Sequence, residues 1–282
     1  MIVGAIATLL VYLGANAYIF IRIMQALSAV PTALRVAFAA LYWLAAVALF
    51  VAIAMRSVEG WAWLERSLFV VGSVWLVFVL YMTLATLVAD VAHLIFPAFK
   101  YGVWWALGAT VLLLSYGYIN YKNPRTETLA IESDKLHTEN LRVVAISDVH
   151  LGYGTTSKML EGYVERINSL SPDVVIIAGD LIDNSIVPVK EASMGEVLSK
   201  IRTTRGVYMA LGNHEYISGI DESLDFIATT PIVVLRDSVA MLDEGVAIIG
   251  RDDRMNRRRK STEELVASIP ADRFTIVVDH QP

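Results

Sequence analysis

The first 121 residues form a series of long apolar runs, separated by prolines or by short polar stretches. An α-helix needs about 20 apolar residues to cross the hydrocarbon core of a bilayer, and each run approaches or exceeds that length. The pattern therefore predicts four membrane-spanning helices, at residues 2–23, 33–55, 67–96 and 101–121. Because the first run lacks a basic start and a small-residue cleavage site, we interpret it as a retained helix and not as a signal peptide.

From residue 141 onward the pattern changes to short apolar runs that alternate with segments of helical spacing. The predicted strands are residues 141–147, 173–178, 206–211, 232–235, 239–242, 246–250 and 274–278. The predicted helices are residues 157–170, 190–202, 221–228 and 261–268. Strands that alternate with helices indicate an α/β layered domain with a largely parallel centre. We expect a transmembrane domain at residues 1–121, a linker at residues 122–140 and a second domain at residues 141–282.

Charged residues are divided unevenly between the two parts. The chain has 23 Lys and Arg, 28 Asp and Glu, and a formal net charge of −5. Only five basic and three acidic residues precede residue 122, so the second part has a net charge of about −7. Nucleic-acid binding needs a positively charged surface, and we therefore expect no nucleic-acid partner. The absence of cysteine excludes disulfides, thiolate metal ligands and a cysteine nucleophile.

The four predicted spans place both ends of the described pattern on one side of the membrane. Four Lys and Arg residues close to the spans lie on the side of the second domain and three lie on the other, which favours a cytoplasmic domain only slightly. Asp90 and His93 lie near the end of the third span, and an intramembrane carboxylate is a candidate functional residue. The alternatives are a small transporter that uses this pair, or two polar residues that reach interfacial water.

Polar residues directly follow four of the predicted strands. They are Asp148 and His150, then Asp180 with Asp183 nearby, then Asn213, His214 and Glu215, and finally Asp279 and His280. One such Asp or His alone is most often a turn residue, a helix cap or an ordinary surface residue. Three of the five histidines nevertheless follow strands, and ligands of α/β proteins bind outside the carboxyl ends of strands. Together these oxygen and nitrogen donors predict a site for divalent metals.

The ordered motifs Asp148-x-His150, Gly179-Asp180, Gly212-Asn213-His214-Glu215 and the later His280 resemble the calcineurin-like metallophosphoesterase superfamily. The resemblance covers residues 141–282, and the preceding apolar spans are similar to those of its bacterial membrane-anchored branch. It implies a β-sandwich core flanked by helices, and two divalent metal ions, for which Mn, Fe and Zn are all suitable.

The resemblance also implies a role for each matching residue. Asp148 and His150 would bind the first metal, Asp180 would bridge both metals, and Asn213 and His280 would bind the second. A hydroxide held between the metals would attack phosphorus in line. His214 would be catalytic, as a group that stabilises the transition state or protonates the leaving oxygen. Glu215, the other expected catalytic residue, would orient His214.

One element of the family pattern is absent from the sequence. A Gly-His-x-His segment should supply one further ligand to each metal, and no histidine follows His280. We therefore expect a chain truncated at its C-terminus, in which the α/β domain is incomplete and five of seven ligands are present.

The expected function is that of a membrane-anchored, metal-dependent phosphoesterase that hydrolyses phosphomonoesters or phosphodiesters. Lipid-linked and nucleotide-sugar lipid substrates are candidates, and the expected location is a bacterial inner membrane that the chain crosses several times. A non-catalytic metal-binding scaffold and a protein phosphatase are the alternatives. A basic run at residues 251–260 is either a contact for lipid headgroups or a substrate phosphate, or a solvated loop.

Overall fold

A computed structural model describes residues 2–55, 61–138, 140–243 and 245–282 of the chain. The chain divides into two compact units, Met1–Thr128 and Leu129–Pro282. The first unit is helical and the second contains all the strands of the described residues.

The first unit consists of four long helices, α1 (Ile2–Ala26), α2 (Thr32–Met55), α3 (Ala62–Ile95) and α4 (Gly102–Lys122). All four are long and apolar enough to cross a membrane. The third helix begins at Ala62, five residues before the predicted start, because the charged pair Glu65 and Arg66 continues the helix beyond its apolar run. Part of the stretch between the second and third predicted spans is therefore helical, and its residues 56–60 lie outside the described residues.

The core of the helical unit contains polar groups, while its surface is apolar. Asn16 is fully buried, its side-chain oxygen accepts a hydrogen bond from Trp75 Nε1 at 3.1 Å, and its carbonyl accepts one from Tyr42 Oη at 2.9 Å. Outward side chains such as Val11 and Leu112 are both 72% exposed. In a bilayer such apolar side chains face lipid, whereas polar groups between helices hydrogen-bond across the interface.

The polar residues near the end of α3 have partners within this unit. Asp90 forms an ion pair with Arg22 of α1, and Tyr18 Oη donates a hydrogen bond to Asp90 Oδ2 at 2.6 Å. His93 Nδ1 lies 2.7 Å from the carbonyl oxygen of Phe99, to which it donates. The contacts of Asp90 hold α1 against α3, and that of His93 joins the end of α3 to the segment before α4, so both candidate intramembrane residues have a structural role.

The second unit contains two sheets. In the first sheet, β1 (Val143–Ile146), β2 (Val174–Ala178), β3 (Val207–Ala210) and β4 (Ile232–Val234) are parallel and adjacent in that order. In the second sheet, β6 (Val246–Gly250) pairs antiparallel with β5 (Ser238–Met241) and parallel with β7 (Phe274–Val278).

Six short helices accompany the strands: α5 (Ser157–Ser169), α6 (Val187–Glu191), α7 (Met194–Leu198), α8 (Asn213–Ile217), α9 (Ile220–Ile227) and α10 (Thr262–Val266). The prediction of one helix at residues 190–202 is wrong. The segment forms two short helices. Pro188 lies in the first turn of α6, and the left-handed conformation of Ser193, at φ 48°, separates α6 from α7. The predicted helices also omit α8, which follows β3 after only two residues.

Alternate residues of the central strand β2 face different layers. Val175 and Ile177 pack into a cluster with helix residues such as Leu198, whereas Val174 and Ile176 pack against the second sheet. This period of two is the consequence of strand geometry, and here it buries both faces of the sheet. The predicted α/β layered domain, with a β-sandwich core flanked by helices and preceded by four apolar helices, is confirmed.

Candidate metal centre

The loops that follow β1 and β2 are joined to each other by their backbones. Asp148 N donates to Gly179 O at 3.2 Å, and His150 N donates to Asp180 O at 3.0 Å. These bonds continue the strand pairing past the ends of β1 and β2 and place the Asp148–His150 and Gly179–Asp180 motifs side by side. The two motifs begin 31 residues apart in the sequence and are adjacent in space because the strands are parallel neighbours.

Three polar residues of these loops have a left-handed backbone conformation. The φ angles are 53° for Asp148, 47° for His150 and 53° for Asp180. Non-glycine residues rarely adopt such angles, and when they do they cluster at functional sites. Gly179 also has a positive φ, of 81°, and a Cβ there would lie 2.6 Å from the His280 ring. Glycine is therefore required at this position by both conformation and space.

One cluster of donors contains Asp148, Asp180 and His280, whose ligand atoms all lie within 4.8 Å of one another. His280 Nδ1 lies 2.8 Å from the carbonyl oxygen of Ala178 and must donate to it. The lone pair of a neutral His280 then resides on Nε2, which lies 3.1 Å from Asp180 Oδ2. Two lone pairs that face each other at this distance need a cation or a proton between them.

The electrostatics of His280 agree with this geometry. Burial by itself lowers the pKa of the imidazole, but the Ala178 carbonyl and the carboxylates of Asp180, Asp148 and Asp253 outweigh it and raise the pKa. The surroundings of His280 therefore favour positive charge.

A second cluster contains His150, Asp183 and His214. His150 Nε2 lies 3.8 Å from Asp148 Oδ1 and 3.7 Å from Asp180 Oδ2, so this residue also borders the first cluster. Asp183 Oδ1 lies 3.5 Å from His150 Nδ1 and 3.2 Å from His214 Nδ1. The two Nδ1 atoms are buried and make no hydrogen bond within the described part of the chain. An imidazole nitrogen left in this way can bind a cation, as for His150, or pair with a nearby carboxylate, as for His214 and Asp183.

Asn213 begins α8, which directs the third motif toward the other two. Its side-chain oxygen accepts a hydrogen bond from Gln281 Nε2 at 2.6 Å, beside His280. The backbone N–H of the next residue, His214, donates to Asp180 Oδ1 at 2.8 Å. The structure thus gathers Asp148, His150, Asp180 and His280 in one site and brings Asn213 to its border.

Glu215 is fully buried and contacts backbone instead of His214. Its Oε2 accepts from the N–H groups of Asp180, at 3.0 Å, and Gly212, at 2.8 Å, and its Oε1 accepts from Ile182 N at 3.0 Å. Burial raises the pKa of Glu215, although the N–H groups of Ile182, Gly212 and Asp180 oppose the rise. The orienting role expected for Glu215 therefore has to be corrected, because the carboxylate next to the His214 ring is that of Asp183.

Sequence reasoning placed Asp183 only near the second motif and gave it no role. The available signal was its spacing of three from Asp180, which places both carboxylates in the loop after β2, one in each cluster. The geometry of α8, which brings His214 next to Asp183, could not be read from that spacing.

Two arginines of the basic run at residues 251–260 are bound to the C-terminal segment of the chain, and others are exposed to solvent. Arg251 Nη1 lies 2.7 Å from Asp279 Oδ2, and Arg259 Nη1 lies 3.3 Å from Asp279 Oδ1 and 3.3 Å from Gln281 O. Both arginines therefore hold the segment that carries His280. Arg257 and Arg258 are exposed.

The donor set suits divalent cations of intermediate hardness, since it combines carboxylates and imidazoles. The lone pair of His280 Nε2 that faces Asp180, and the unbonded Nδ1 atom of His150, are the observations that fit such a group. A β-sandwich flanked by helices, with this donor set at its strand ends, defines the class of metal-dependent hydrolases.

The chain belongs to the calcineurin-like phosphoesterase family, whose model matches residues 141–282. This match confirms the resemblance predicted from the motifs, and the family is one of metal-dependent phosphoric ester hydrolases. The ligand and catalytic roles of the individual residues stay predictions.

Relatives of the chain are metallophosphoesterases from distant organisms. It is 30% identical to a metallophosphoesterase of Helicobacter pylori, over 62% of this chain and 49% of the relative. It is 28% identical to the transmembrane protein with metallophosphoesterase domain of Danio rerio, over 63% and 44% of the two chains. It is also 32% identical to the UDP-2,3-diacylglucosamine pyrophosphatase of Chlamydia trachomatis, over 31% and 26%.

The chain spans about half the length of the curated relatives that it matches. The transmembrane relatives and the four apolar helices together identify a membrane protein.

Proposed function

We propose that the protein is a membrane-anchored phosphoesterase that hydrolyses phosphomonoesters or phosphodiesters at the metal centre. The observation that carries the proposal is the convergence of Asp148, Asp180 and His280, with His150 at the border, on one space at the strand ends. Family membership supports the same chemistry.

Asp148, His150, Asp180, Asn213 and His280 would hold two divalent ions. When bound, the ions supply Lewis acidity, which lowers the pKa of a water and neutralises charge on the phosphate. The carbonyl of Ala178 fixes the tautomer of His280, and the N–H of His214 holds Asp180 Oδ1, so the protein orients these ligands through its backbone.

His214 would provide a proton to the leaving oxygen or stabilise the charge that develops there. Asp183 Oδ1, 3.2 Å from His214 Nδ1, supports this role because a carboxylate at Nδ1 orients the ring and stabilises the protonated imidazole. The Nε2 atom of His214 is then the atom that faces the substrate.

A lipid-linked pyrophosphate or nucleotide-sugar lipid is the substrate class that we propose. It is supported by the four apolar helices and by the similarity to a relative named for a diacylglucosamine substrate. We further propose a bacterial inner membrane as the location, and the excess of one basic residue near the spans favours the cytoplasmic side.

Hydrolysis of bis-p-nitrophenyl phosphate and p-nitrophenyl phosphate by the full chain in detergent with Mn²⁺ tests the chemistry. We expect Asp180→Ala and His214→Ala each to lower kcat by about 100-fold or more. Metal analysis should show loss of bound Mn²⁺ in Asp180→Ala and not in His214→Ala, because only Asp180 is a ligand in the proposal. The matched control is Asp272→Asn, an exposed site in the same unit.

Bound Mn²⁺ without turnover of either ester would contradict the phosphoesterase and favour the metal-binding scaffold. The lipid part of the proposal has a separate measurement, kcat/KM for a lipid-linked pyrophosphate against its water-soluble headgroup. Equal values for the two would leave the phosphoesterase in place and remove the lipid substrate.

A further inference from the structure

Two adjacent aspartates follow β6, and both are buried. Asp252 is 0% exposed and Asp253 is 1% exposed. Asp253 Oδ1 accepts a hydrogen bond from Met255 N at 2.8 Å, whereas Asp253 Oδ2 is buried and has no hydrogen-bond partner among the residues that the structure describes. The family motifs do not include this residue, and the site described above does not use it.

Asp252 shows what a structural carboxylate in this loop looks like. Its Oδ1 accepts from Tyr216 Oη at 2.7 Å and from Asp253 N at 2.9 Å, and its Oδ2 accepts from Arg236 Nε at 2.7 Å and Asn256 Nδ2 at 2.8 Å. Burial alone would raise the pKa of Asp252, but the hydrogen bonds from Arg236, Asn256 and Tyr216 outweigh it and lower the pKa. Asp252 is therefore fully satisfied by protein groups, and Asp253 is not.

The strand pairing places Asp253 at the same edge as the metal centre. β6 and β7 are parallel, with Gly250 opposite Val278, and Arg251 N donates to Val278 O at 2.9 Å beyond the paired segment. Asp253 thus follows β6 by three residues, and His280 follows β7 by two. The guanidinium of Arg259 also bridges the two loops, since it donates to Asp252 O at 3.2 Å.

The unpaired oxygen of Asp253 agrees with this placement. A buried carboxylate oxygen without a donor is costly, and proteins retain such groups mainly where a ligand or cation completes them.

We propose that Asp253 belongs to the cation site: its carboxylate compensates the charge of the divalent ion beside His280 and strengthens the binding of that ion. This inference rests on the proposed function, since it needs a cation at His280. It adds to the family's ligands a residue whose unpaired Oδ2 acts on the affinity for the ion, while its Oδ1 accepts the hydrogen bond from Met255 N.

The test compares Asp253→Asn with the wild-type full chain in detergent, with Asp272→Asn as a control for the same change of net charge at an exposed site. Mn²⁺ affinity is measured by titration, and the melting temperature is measured in excess EDTA. We expect Asp253→Asn to weaken Mn²⁺ binding by about 10- to 100-fold, the range found when residues that support metal ligands are changed. In EDTA its melting temperature should equal or exceed that of the wild type, because an unpaired buried charge has been removed.

Each other outcome overturns the inference in a recognisable way. Wild-type affinity in Asp253→Asn, with binding lost in Asp180→Ala, would overturn the role of Asp253 and leave the proposed function intact. A lower melting temperature in EDTA with unchanged affinity would make Asp253 a structural residue like Asp252. Absence of Mn²⁺ binding in the wild type would contradict the proposed function itself, and the inference with it.

Discussion

Asp180 connects the parts of the metal centre through both of its oxygens. Oδ2 lies 3.1 Å from His280 Nε2 and 3.7 Å from His150 Nε2, while Oδ1 accepts the N–H of His214. It is 3% exposed and has a left-handed backbone. A residue with this many geometric requirements tolerates little change, and the bridging role expected for it stays a prediction.

Asp173 joins the starts of three strands, at the opposite end from the metal centre. Its Oδ2 accepts from Arg142 N at 2.9 Å and its Oδ1 from Thr204 Oγ1 at 2.9 Å. The hydrogen bond from the Arg142 N–H is the main cause that lowers the pKa of Asp173 below its usual value.

We expect Asp173→Asn to reduce the stability of the second unit by about 0.5–1 kcal/mol at pH 7, a modest value because water screens this partly exposed group. Since the folded pKa is lowered, the ionised carboxylate stabilises the fold above the unfolded pKa of about 3.9, and this contribution is lost as pH falls through the folded pKa. Thermal unfolding of both proteins between pH 7 and pH 3 checks it. A difference that persists unchanged at pH 3 would contradict the electrostatic origin.

At the scale of elements, hydrophobic periodicity was sufficient to predict the longer helices and strands and insufficient to predict the shortest helices. Residues 246–250 and 274–278 were predicted as strands with the observed bounds, because both are continuous apolar runs between polar turns. The helix α8 has only five residues, too few to show a helical period in the sequence. The strand-end residues Asp148, Asp180 and His280 were therefore predictable, while the contacts of Glu215 were not.

The glycine at the end of β2 is predicted to be essential for the arrangement of these elements. Gly179→Ala would place a Cβ 2.6 Å from the ring of His280 and force a left-handed conformation that costs an alanine about 1–2 kcal/mol. We expect His280 to be displaced and Mn²⁺ affinity to fall by at least about tenfold. Titration of Mn²⁺ checks this expectation.

Gly162→Ala is the matched control for this variant. It lies on α5, where a Cβ would meet nothing within 4 Å, and alanine favours helix more than glycine does. Equal Mn²⁺ affinities in Gly179→Ala and Gly162→Ala would show that His280 is not held by the close approach of Gly179.

At the scale of the whole molecule, the two units differ in how polar groups are distributed. The first has an apolar surface and buries Asn16, whereas the second buries both faces of its central sheet and collects its polar residues at strand ends. Composition was enough to predict this division into a membrane part and an α/β part. The partners of Asp90 were not predictable, because the pairing of α1 with α3 leaves no periodic signal in the sequence.

We expect Asp90→Ala to destabilise the helical unit and to leave phosphoesterase kcat/KM unchanged. The substitution removes the ion pair with Arg22 and the hydrogen bond from Tyr18, which together should contribute about 1 kcal/mol. Thermal unfolding in detergent and the p-nitrophenyl ester assay measure the two effects. Leu94→Ala, an 80% exposed site on the same helix, is the control. Unchanged thermal unfolding of Asp90→Ala would contradict the structural role of Asp90. Loss of solute transport in cells that carry Asp90→Ala would favour the transporter hypothesis.

The backbone bonds between the loops after β1 and β2 have a consequence for how the site could be redesigned. These bonds, from Asp148 N to Gly179 O and from His150 N to Asp180 O, join main-chain atoms and do not depend on the side chains that face the cation. An ion that enters the site finds a frame already ordered by folding, so its binding does not have to supply that ordering entropy. Metal preference could therefore be tuned one donor side chain at a time, on a main chain that keeps its shape.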